Sequence, residues 1–113
     1  MKTLFESPLR TWAQVAALLA EAAARGLADD VDPATHSLTL GAELVACQAA
    51  ELLSREMYLV GETHLDAQVH NWSAAELIRA AEGASRRHPI EEFPVGASGV
   101  IVALGDLMHE VGA

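Results

Sequence analysis

Residues 38–60, LTLGAELVACQAAELLSREMYLV, are the longest stretch of the chain compatible with one helix, and they are apolar on more than one side. At about 100° per residue, Val45, Ala49, Leu52, Leu59 and Val60 fall on one stripe. Leu40, Leu44, Cys47 and Tyr58 gather roughly opposite. A surface helix buries one stripe, so a helix with two is central to its bundle or is covered on the second side by another chain. The other segments are therefore expected to pack around this one. Glu56 stands inside the main stripe, at helical spacings from Ala49, Leu52, Leu59 and Val60.

The length of 113 residues suits one domain, 1–113, able to bury about two-thirds of its unfolded surface. Sixteen acidic against seven basic residues leave a net charge of −9. That balance excludes the clustered Lys and Arg of a phosphate-backbone binder and suits a basic protein partner. The longest run without a formal charge, residues 93–105, is too short and too rich in glycine to span a bilayer. Lys2 followed by the apolar run from Trp12 to Ala20 imitates a signal peptide, but Glu6 and Arg10 interrupt it and an amphipathic helix is the better reading. Cys47 is the one cysteine, so nothing demands an oxidising compartment and a cytoplasmic protein is expected. Arginine outnumbers lysine six to one and alanine is abundant, as in a GC-rich bacterial or phage genome.

In chain order, Ser7-Pro8 opens a helix over 8–25, with serine as N-cap and proline at the first helical position. Leu9, Trp12, Val15, Leu19 and Ala23 share its inner face, Glu21 and Arg25 form a pair four apart, and Gly26 supplies its C-terminal residue. The acidic connection 27–37 is broken at Asp32-Pro33. A calcium loop starting at Asp32 fails, because Ala34 and His36 stand where oxygen ligands are needed and the central glycine is missing. Helix two follows over 38–60, with a break near Gly61. Residues 62–72 read both as an alternating strand and as a helix; sparse β-branching favours a kinked extension or a short extra helix. Ser73 and Glu76 form a capping box for a helix over 74–87, with Leu77, Ile78, Ala81 and Ala84 inward. Ser98 caps a last helix over 99–111, whose Val100, Leu104, Leu107, Met108 and Val111 make a stripe and whose Gly99, Ala103 and Gly105 permit another backbone to approach. The fold class expected is all-α, a compact bundle of about four helices around a central second helix.

An ionised carboxylate in an apolar stripe costs several kcal/mol unless it is paired, protonated or ligated. Glu56 is thus a paired structural charge or the centre of a polar site. Glu62, His64, Asp66 and His70 are metal-ligand types, but neither HExxH nor the motif pair of a di-iron bundle is present, and a solvated polar face is the plainer reading. Cys47 has only Gln48 and alanines near it in sequence and reads as a small buried hydrophobe. His88, beside Arg86 and Arg87, offers a thin anion patch at the end of the third helix.

The tail Leu104-Gly105-Asp106 resembles the LGD element of the all-α nucleotide pyrophosphohydrolases (MazG-like), whose acidic helices hold magnesium. The glutamate those enzymes place three residues before the aspartate is Ala103 here, and Glu43 and Glu51 are followed three residues on by Ala46 and Ser54 rather than by a second glutamate. Only Asp106 matches. The functional expectation is therefore a non-enzymatic regulatory or accessory protein without a cofactor or metal. It would act as a homodimer through Leu40, Leu44 and Tyr58, or on a basic partner. The alternative is a small-molecule or metal site around Glu56, with His64, Asp66 and His70 as further candidate residues, in a binding protein or an enzyme.

Overall fold

The computed structural model describes residues 8–29, 33–58 and 72–110. Among them are four α-helices, α1 (Pro8–Asp29), α2 (Pro33–Glu51), α3 (Ala74–Ala84) and α4 (Ala97–Glu110), with a single 3-10 turn at Ile90–Glu92 before α4. α1 packs on α2 and α3, and α4 packs on the same two helices. The four thus close a ring in the order α1, α2, α4, α3, an all-α bundle as the periodicity predicts. No helix among the described residues is long and apolar enough to cross a membrane.

The most deeply buried helix is the first, not the second. Thr11, Trp12, Ala13 and every residue from Val15 to Leu19 are buried, as are Ala22 and Ala23. Alanine on several sides lets α1 lie wedged between α2 and α3 with little side-chain bulk to accommodate. Helix α1 also runs through Gly26 to Asp29, because one glycine costs only about 1 kcal/mol in a helix that good formers flank.

Helix α2 departs most from expectation. It starts at Pro33, where the missing N–H costs nothing, and it stops at Glu51. The N–H groups of Leu52 and Leu53 donate to Ala49 and Ala50 at 3.2 and 3.0 Å, the i→i−3 bonds with which a helix tightens its last turn. Ser54 then restarts the chain: its hydroxyl accepts from the Met57 N–H at 3.2 Å, and residues 55–58 form a separate helical turn. A serine within the run thus acts as an N-cap, which competes with continuing the helix. The new turn has its own phase, so Glu56 leaves the stripe and is exposed. Residues 59–60, Gly61 and the ambiguous stretch 62–71 lie outside the described residues.

Helix α3 follows its predicted design. Ser73 accepts from the Glu76 N–H at 3.2 Å while Glu76 accepts from the Ser73 N–H at 2.7 Å, and all four expected inner residues are buried. It ends at Ala84 rather than residue 87, with the Ser85 hydroxyl donating to the Glu82 carbonyl at 2.6 Å. The Glu21–Arg25 and Glu82–Arg86 pairs both form.

Helix α4 begins at Ala97, so Ser98 lies within it rather than capping it; the Ala97 N–H is held by the Pro94 carbonyl at 3.0 Å. Val100, Leu104 and Leu107 are buried. The expected close approach at Gly99 and Gly105 is absent: a Cβ on either would meet nothing within 4 Å. The close approach is on α2, where a Cβ on Gly41 would stand 2.8 Å from Leu107 Cδ2. Gly96 sets the entry to α4 with φ of +99°, and a Cβ there would stand 3.1 Å from Leu52 Cδ2. Gly96→Ala therefore combines an unfavourable backbone with a crowded neighbour. It is expected to lower stability by about 1–2 kcal/mol, read as a reduced urea midpoint with unchanged slope.

Candidate interaction surface

Two features of the bundle carry polar or exposed apolar groups that the packing does not explain by itself. The first is a chain of side chains tying α1 to the α3–α4 connection. Trp12, fully buried, donates its indole N–H to the Ala49 carbonyl at 3.1 Å. Its ring lies 5.1 Å from that of Phe93, which meets the edge of the His88 imidazole at 5.8 Å. His88 Nε2 lies 3.2 Å from Thr11 Oγ1, and its Nδ1 lies 3.6 Å from Glu92.

Hydroxyl, imidazole and carboxylate in that order have the composition of a nucleophilic triad. Thr11, however, sits inside α1 at 3% exposure, where no acyl or phosphoryl group can reach its oxygen. The arrangement acts as a structural tie. Arg86, Arg87 and His88, adjacent in the sequence as an expected anion patch, are separated in the structure. His88 turns inward, Arg86 pairs with Glu82, and Arg87 reaches Gln14 at 3.5 Å. The one sequence signal for Thr11 was its place directly before Trp12 in α1.

The second feature is the outer side of α2. Its core positions are Thr39, Ala42, Val45, Ala46 and Ala49, spaced to make one inner face. Leu40 and Leu44 point away from them and are 50% and 61% exposed. Cys47 completes the ridge one turn further on. It is exposed, correcting the buried reading, because it lies on the side of α2 away from the core. Beside this ridge, a groove of about 310 Å³ runs between α1 and α2. Ala20, Ala24, Ala46 and Ala50 line it together with Glu43 and Cys47. Tyr58 stands in the same groove, half-buried. The structure thus brings Leu40, Leu44 and Cys47 into one patch and places Tyr58 in the adjoining groove.

Of the residues considered for a polar site, Glu56 is exposed, and His64, Asp66 and His70 lie outside the described residues. Among the described residues no three His, Cys, Asp or Glu side chains converge as a metal site would require. Asp106, the one match to the LGD element, is exposed on α4.

One buried polar atom stands out on α2. Thr39 is 2% exposed and its hydroxyl has no hydrogen-bond partner among the described residues. An orphaned buried hydroxyl costs about 1–3 kcal/mol. Thr39→Val keeps the shape and removes that cost, so the variant is expected to melt a few degrees higher. A lower melting temperature would show that the hydroxyl is satisfied in solution.

The fold and this surface define an all-α helical bundle with an exposed apolar ridge on one helix. No protein-family model matches the chain, and neither the curated proteins nor the solved structures hold a match to it.

Proposed function

We propose that this protein works by binding another protein chain through the outer face of α2, as a regulatory or accessory component rather than an enzyme. The observation that carries the reading is the exposure of Leu40 and Leu44, 50% and 61%, on consecutive turns of a helix whose opposite face is fully packed. Isolated exposed aliphatic side chains are ordinary on protein surfaces. Two on adjacent turns, joined by Cys47 and bordered by an alanine-lined groove, form a contiguous patch of the kind that marks interaction sites. A second copy of the chain is the simplest closed assembly, and the acidic surface equally suits a basic partner. The exposed Cys47 needs no oxidising surroundings, in keeping with a cytoplasmic setting.

Site-specific photo-crosslinking tests this. A benzophenone side chain at position 44 in the producing cell is expected to give one discrete adduct, to a second copy or to another chain. The same group at exposed Arg79 on α3 should give none. Absence of any adduct from position 44, with the protein folded, would overturn the interaction reading.

A further inference from the structure

Taking that reading as given, charge decides what the α2 face receives. Helix α2 carries no Lys or Arg along its 19 residues. The exposed Glu43 stands beside Leu40, Leu44 and Cys47, and the exposed Glu51 closes the ridge at its far end. Arg55 beyond α2 and Arg10 at the start of α1 both stand toward the Glu51 end, since Trp12 reaches Ala49. Arg25 is held by Glu21 and the Trp72 carbonyl. Arg79, Arg86 and Arg87 belong to α3 and the turn after it, and α3 packs on α1 and α4.

A two-fold copy uses one patch twice. An axis through the middle of the ridge, near Leu44, brings the two Glu43 carboxylates toward each other with no cation on either α2 to relieve them. Like charges brought together disfavour that interface. Arg79, Arg86 and Arg87 of another copy reach Glu43 only in a head-to-tail contact, which runs on as an open chain instead of closing at two subunits.

We propose that the α2 face docks a basic amphipathic helix of a different protein. Aliphatic residues of that helix lie on Leu40, Leu44 and Cys47, and its Lys or Arg side chains lie over Glu43 and Glu51. Helix-on-helix recognition uses anchors on successive turns, which is the spacing of this ridge. The groove beside it is lined mostly by alanines, with Tyr58 as its one large side chain, so small side chains make up most of the surface that a docking helix meets. The chain's net charge of −9 adds long-range attraction for a cationic partner.

Cys47, the one cysteine of the chain, lies in the ridge and reports its occupancy through the rate of alkylation by iodoacetamide. The probes are two synthetic helical peptides with the same leucine stripe, one with lysine and the other with glutamate at the flanking positions. At about ten times its Kd the lysine peptide is expected to slow alkylation roughly tenfold, the mass-action fraction of free protein. The protection should weaken with added salt and vanish in the folded Glu43→Lys/Glu51→Lys variant. The glutamate peptide, and protein concentration alone, should leave the rate unchanged. Equal protection by both peptides would overturn the basic-partner proposal, as would slowing with protein concentration accompanied by a sedimenting dimer. Either result leaves the α2 face an interface and the interaction reading intact. Protection by neither peptide overturns the proposal as well, and only a missing crosslink from position 44 would then remove the interaction reading with it.

Discussion

Trp12→Ala is expected to destabilise the protein by about 4 kcal/mol, lowering the melting temperature by about 15 °C at this chain length. Three contributions add up here. The indole is fully buried, so its removal leaves a cavity between α1, α2 and the connection before α4. The Trp12–Phe93 ring contact at 5.1 Å is lost, and with it the support on which His88 and Thr11 are arranged. The hydrogen bond to the Ala49 carbonyl is the smallest contribution, because that carbonyl also accepts from the Leu52 N–H at 3.2 Å and is not orphaned. Trp12→Phe separates the contributions. It keeps most of the packing, loses the hydrogen bond, and is expected to cost about 1–2 kcal/mol. Urea unfolding followed by circular dichroism gives both values. A loss below about 1.5 kcal/mol for Trp12→Ala would mean that α1 is not the deeply buried helix wedged between α2 and α3. Domains of this kind are stable by only about 5–15 kcal/mol, so the alanine variant should approach the limit of folding.

Leu104→Ala is expected to cost about 3 kcal/mol. Leu104 is fully buried on α4, with Val100 and Leu107 on the same side. Val102, two residues earlier, points the other way and is 67% exposed. Val102→Ala should therefore change stability by less than about 0.5 kcal/mol. The pair tests the phase of α4 directly, since a rotation by half a turn would exchange the two results. Leu107 gives an independent check on the same docking. It sits against the bare backbone of Gly41, so α4 contacts α2 more closely there than any larger residue at position 41 would allow without a shift.

Much of this fold was legible from local pattern. The start of α1 at Pro8, the capping box at Ser73 and Glu76, the four inner residues of α3 and the buried stripe of α4 all follow from spacing and end chemistry. These depend on residues within a turn or two of one another, and a helix wheel describes them fully. The exposed pair Leu40 and Leu44 was also legible, because both lie within the first unbroken helical phase of α2.

What tertiary structure decided is which helix lies innermost and where α2 stops. The wheel for residues 38–60 presumes one continuous phase, and Ser54 can serve equally as a helix residue or as the N-cap of a new turn. Contacts from elsewhere in the chain settle the choice. Trp12 from α1 takes up the carbonyl of Ala49, and Leu52 lies against Gly96 at the entry to α4. Both hold the end of α2 where it is, so the Ser54 cap forms and Glu56 turns out to solvent. The same holds for α1. Its alanines look like weak core residues in sequence, because each buries little area alone. Their value lies in their small size, which lets α2 and α3 close on α1 from two sides. Periodicity records the direction a side chain takes from its own helix axis. Burial depends on what stands in that direction, and that is a relation between helices far apart in the chain.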